Sequence, residues 1–77
     1  MSRDPYLNHR NVIPVVALHA SPEIGEKLWK AVNALKLDRL DLDTARKLIQ
    51  EAHRELRAEN TPESIALAEK LGNLKKL

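Results

Sequence analysis

Cysteine is absent from this 77-residue chain, which excludes disulfide staples and thiolate metal sites and sets the expectation of a reducing, cytoplasmic setting. Phenylalanine is absent too, and Tyr6 and Trp29 are the whole aromatic complement. A core must therefore be assembled from Leu, Ile, Val and Ala, which favours helices packed on helices. Gly25 and Gly72 are the sole glycines, too few and too far apart for a glycine-rich phosphate loop. Long apolar runs are also lacking. The seven residues from Val12 to Leu18 carry Pro14 and follow Asp4, Asn8 and Asn11, too short for a membrane span and wrongly flanked for a secretory signal. Nor does one sign of charge dominate: 13 Lys and Arg stand against 11 Asp and Glu. A net +2 permits nucleic acid without requiring it.

Helix grammar is what the chain has in quantity. Two tripeptides, Ser21-Pro22-Glu23 and Thr61-Pro62-Glu63, each place a hydroxyl at a helix N-cap, proline at the first helical position and glutamate at the second. The hydroxyl accepts an orphan N–H, proline has no N–H to leave unpaired, and the carboxylate faces the positive end of the helix dipole. The 17-residue stretches they open, 21–37 and 61–77, share further residues, but their apolar positions do not align. They repeat a capping pattern and not a structural unit.

Between them, Asp43 is the expected cap of a central helix whose Ala45, Leu48, Ile49, Ala52 and Leu56 share one face. Ile24, Leu28, Ala31, Val32 and Leu35 form a similar stripe on the helix before it. Leu67, Leu71 and Leu74 continue the pattern, with Gly72-Asn73 as a C-terminal stop that leaves residues 74–77 frayed. The β-branched run near the N-terminus reads as a short helix from about Val12 to His19, capped by Asn11, with Pro14 in the first turn. The fold class predicted is all-α: a three- to four-helix bundle with an apolar N-terminal arm, a polar arm over 1–11 ahead of one helical domain over 12–77. The alternative is an N-terminal strand paired across a dimer. Leu28, Leu35, Leu48, Ile49 and Leu56 are the predicted core.

No constellation points to catalysis. His9, His19 and His53 lack metal-ligand spacing. Asp38, Asp41 and Asp43 cluster without the glycine and closing glutamate of a calcium loop. Ser21 is explained as a cap, and Ser2 and Ser64 sit in plain polar contexts. The expectation is a non-enzymatic chain without cofactor or metal. Thr61–Asn73 has the cadence of the first helix of a helix-turn-helix, but only four residues follow it, too few for a recognition helix. In a ribbon-helix-helix reading, the strand residues that should reach bases are apolar.

Partner-facing residues are read from what the core leaves over. At about 100° per residue, Arg46, Lys47, Gln50, His53, Arg54 and Arg57 take one flank and the outer edge of the central helix, and Glu51, Glu55 and Glu59 the other. Glutamates at i, i+4 and i+8 forgo local pairing, which suits a charged partner. Trp29 lies about 120° off its helix's apolar stripe, on the side shared with Gly25 and Lys36. An uncovered indole beside a glycine hollow invites either the N-terminal segment or a second molecule. The expected partner-binding set is thus Trp29, Gly25, Lys36, Arg46, His53, Arg54 and Arg57. The function read from it is a small adaptor or regulator that binds another protein as a homodimer, with no membrane. The alternative is a nucleic-acid-binding regulator using Arg46, Lys47, Arg54 and Arg57.

Overall fold

A computed structural model describes residues 6–74. Four helices follow in chain order: α1 (Leu7–His19), α2 (Pro22–Ala34), α3 (Leu42–Glu59) and α4 (Pro62–Gly72). Among the described residues there is no strand, so the all-α bundle holds and the strand-paired alternative does not. Short connections make neighbours antiparallel, and α1 closes on α4, the smallest of the helix contacts. No described helix is long and apolar enough to cross a membrane.

Local chemistry explains most of the boundaries. Pro22 and Pro62 open α2 and α4 as expected, but the two hydroxyls behave differently. Thr61 Oγ1 accepts the Ser64 N–H at 3.0 Å and Ser64 Oγ accepts the Thr61 N–H at 2.9 Å, a reciprocal capping box that buries Ser64. Ser21 occupies the cap position of α2 with no side-chain bond.

Two boundaries differ from the sequence reading. The cap of α3 is Asp41, not Asp43: its carboxylate accepts both the Thr44 N–H at 3.3 Å and the Thr44 hydroxyl at 2.7 Å. Those bonds, the hydroxyl's first, hold the Asp41 carboxyl below its ordinary range. Asp43 sits in the first turn, 3.3 Å from Arg46. α1 begins at Leu7, five residues before the expected Val12, so Asn11 lies inside it and Pro14 lies past its first turn. Among the described residues no side chain caps α1. What holds the early turn is tertiary: His9 is buried, and the Arg10 guanidinium donates to the Leu35 carbonyl at 3.0 Å. Of the polar arm expected over 1–11, residues 7–10 and Asn11 are thus helical, and residues 1–5 lie outside the described part.

Leu28, Leu35 and Leu56 are fully buried with Ile13, Val16, Ala45 and Ala52, and Ile49 packs against them partly covered. Leu48 does not join this core. On α3 it falls on the edge of the stripe, and Ala45, Ala52 and Leu56 take the centre. Leu67 and Leu71 are buried on α4 and Leu74 packs against the core, so Leu74 is not frayed. α4 stops at Gly72 as expected, while residues 75–77 lie outside the described part.

Candidate functional site

Two surfaces collect the residues singled out from the sequence. The first is the outer seam of α1 and α2. A Cβ on Gly25 would stand 2.9 Å from the Ala17 carbonyl oxygen, so the glycine hollow is filled by the chain's own α1 and Gly25 is buried. This contact and the Arg10–Leu35 bond set the register of the antiparallel pair and put Pro14 level with Trp29. Trp29 lies on the same side of α2 as Gly25, just past it toward solvent. It is 47% exposed, so the described part of the N-terminal segment leaves about half of it uncovered. Across the seam, the outer flank of α1 presents Leu7, 51% exposed, and Leu18, 74% exposed, with Pro14 between them and Val15 beside Leu18. The result is a strip of spaced apolar side chains along one side of the bundle, with exposed Asn11 among them on α1. Lys36 is exposed beyond the end of α2, away from the strip's centre.

Sequence reasoning had no means of finding the α1 half of this strip. Val12 to Leu18 is apolar nearly all round, and only packing separates the buried Ile13, Val16 and Ala17 from the exposed Val15 and Leu18.

The second surface is a cleft of about 700 Å³ where α1, α3 and α4 meet. Its origin is a mismatch of lengths. α3 has 18 residues and α4 has 11; running back along α3, α4 ends with Gly72 against the His53 imidazole, whose Nε2 would lie 3.6 Å from a Cβ placed there. Toward its N-terminus, α3 goes on for about three more turns with that flank not roofed by α4. Ile49, Leu71 and Leu74 line the floor, and His9 closes the α1 side. Arg46, His53, Arg54 and Arg57 stand along the α3 side with Gln50, and among the described residues no carboxylate lines the cleft. All four basic residues named from the sequence as partner-binding on α3 therefore converge here, while Lys47 does not line the cleft. Arg46 pairs with Asp43, whereas Arg54 and Arg57 have no ion-pair partner among the described residues.

The acidic flank of α3 has a different fate. Lys27 Nζ of α2 donates to Glu55 Oε2 at 2.6 Å. That bond raises the Lys27 ammonium above its ordinary value against a smaller effect of desolvation, and the charges of Glu55, Glu51 and Glu23 reinforce it. Glu55 thus finds its cation on α2, and the charge of Glu51 acts on the same lysine. On the acidic flank of α3 the lateral sorting of charge is answered within the molecule at Glu55.

Among the described residues no three His, Asp or Glu side chains are grouped to hold a metal ion. No protein-family model matches this chain, and no curated protein or solved structure shows significant similarity to it.

Proposed function

We propose that this chain is a non-enzymatic protein–protein interaction module, a small adaptor or regulator that works as a homodimer joined through the outer seam of α1 and α2. The apolar strip of Leu7, Pro14, Leu18 and Trp29 carries this reading. A single exposed leucine on a monomer is ordinary, but several exposed apolar side chains beside a half-exposed indole mark a surface that meets protein. Association would also add apolar burial to a domain that has neither disulfide nor metal to hold it.

Sedimentation at micromolar concentration is expected to give twice the 8.7 kDa chain mass. Trp29→Ala is expected to move the equilibrium toward monomer while the helical circular dichroism persists. Leu18→Ser, at a side chain that contributes little to the fold, is expected to do the same and guards against a Trp29 variant that unfolds. A wild type that sediments as monomer throughout, or variants that remain dimeric, would overturn the reading.

A further inference from the structure

α4 packs on both α3 and α1, so the trough between those two helices holds a helix as far as Gly72. Beyond that residue the same trough runs on as the cleft of about 700 Å³, between the α3 flank and His9 in the first turn of α1. Its cross-section is one that a helix fits. Ile49, Leu71 and Leu74 make the floor, and Ile49 and Leu74 keep part of their apolar surface open. From Arg46 to Arg57 the lining stretch of α3 spans about 16 Å, the length of roughly three helical turns.

Charge narrows the occupant. Arg54 and Arg57 are exposed along the cleft with no ion-pair partner among the described residues, and His53 stands beside them. Since no described carboxylate lines the cleft, its arginines are answered only by an occupant that brings its own. Apolar contact below and carboxylates at the side are what an acidic amphipathic helix offers. Nucleic acid fits less well, because phosphates would leave the floor uncovered and no described Phe, Tyr or Trp lines it for a base to stack on. Nor does the α2–α3 loop of a second copy match: Lys36 and Arg39 are exposed on it, and Asp41 and Asp43 are bonded to Thr44 and Arg46. We infer that the cleft takes an acidic amphipathic helix of another protein, its apolar stripe on Ile49 and Leu74 and its carboxylates toward Arg54 and Arg57. The contact rests on the reading of this chain as a protein-interaction module and makes no use of the α1–α2 seam. Leu7 of the seam and His9 of the cleft point about 160° apart on α1, so a second copy on the seam leaves the cleft open.

Fluorescence anisotropy tests this with a labelled, end-blocked peptide of about twelve residues, leucines at i, i+3, i+4 and i+7 and glutamates beside them, titrated with the full chain at ~0.15 M salt. Saturable binding is expected. Replacing the peptide's glutamates by lysine, or its leucines by serine, is expected to weaken it about tenfold or more. On the protein, Arg54→Glu with Arg57→Glu removes the cationic side, and Leu74→Ser takes an apolar side chain off the floor while leaving every charge in place. Each is expected to weaken binding about tenfold. Should Leu74→Ser loosen the bundle, Gly72→Phe obstructs the cleft instead, at a position where a Cβ makes only an ordinary contact. Helical circular dichroism confirms that the variants compared are folded. No saturable binding, a lysine peptide that binds as well as the glutamate one, or floor variants that bind like wild type would overturn the inference; the last would mean diffuse attraction between charges. Duplex DNA that displaces the peptide, and whose binding is lost with the arginine pair but kept in the floor variants, would make the cleft a nucleic-acid site and overturn it as well. So would a wild-type dimer that the cleft variants dissociate, since the occupant would then be a second copy. The seam is judged apart, by sedimentation of Trp29→Ala and Leu18→Ser. A monomeric wild type that binds the peptide overturns the seam and supports the cleft, and a dimer sensitive to Trp29→Ala that binds no peptide does the reverse.

Discussion

Gly25 and Gly72 both lie in helices, and neither has a positive φ. Their roles are nonetheless opposite. A Cβ on Gly25 would press on backbone, 2.9 Å from the Ala17 carbonyl oxygen, where no rotamer change can give way; at Gly72 the nearest atom is a side-chain nitrogen at 3.6 Å, an ordinary contact. Gly25→Ala is therefore expected to cost about 1–3 kcal/mol by forcing α1 and α2 apart, more than the ~1 kcal/mol that alanine gains in a helix. Gly72→Ala is expected to be neutral or slightly stabilising. Urea unfolding of the two variants checks this, and equal midpoints would show that the α1–α2 contact yields freely. From sequence the two positions look alike, because the neighbour that makes one of them intolerant lies on another helix.

The helix ends separate cap position from cap bond. Ser21 and Thr61 precede Pro-Glu in the same way, yet Thr61 is bonded into a capping box and Ser21 makes no side-chain bond. Thr61→Ala is accordingly expected to cost about 1 kcal/mol, and Ser21→Ala only a few tenths. Thermal melts of the pair decide it; a Ser21→Ala loss as large as that of Thr61→Ala would show that the hydroxyl caps α2 in solution. Proline at the first position is enough to start α2, since its missing N–H leaves one orphan fewer and its φ is already helical. The α3 start shows the same principle from the other side. Asp41 and Asp43 are both plausible caps by residue type, and the Thr44 hydroxyl decides for Asp41 by adding a second bond.

For the whole molecule, the core is narrow and its leucines are unequal. Leu56 is 1% exposed at the centre of the cluster, whereas Leu48 stands outside it. Leu56→Ala is expected to cost about 2–5 kcal/mol, comparable with the stability of so small a domain. Leu48→Ala is expected to cost about 1 kcal/mol or less. Circular dichroism at room temperature should then show an unfolded or marginal Leu56 variant beside a helical Leu48 variant. Equal losses would mean that α3 is rotated from the orientation described. The same rotation matters for the surfaces, because it turns Glu55 to Lys27 and leaves Arg54 and Arg57 along the cleft.

Helix type and the starts of α2 and α4 were legible in the sequence because their causes are local: Pro22 and Pro62 act within one turn, and the apolar stripe of α3 repeats every three or four residues along its own axis. The lack of Phe and Cys likewise pointed to an aliphatic helical core before any packing was known. The basic set Arg46, His53, Arg54 and Arg57 was readable for the same reason, since neighbours on one helix flank stay neighbours wherever the helix is placed. Tertiary structure decided whatever depends on two elements at once. It extended α1 back to Leu7 through the burial of His9 and the Arg10 bond to Leu35, filled the Gly25 hollow with Ala17, and answered Glu55 with Lys27. It also made the cleft, which exists because α4 ends at Gly72 while α3 runs on. Spacing along a chain determines which residues share a face; what that face meets is set by the length, register and rotation of the helix packed against it.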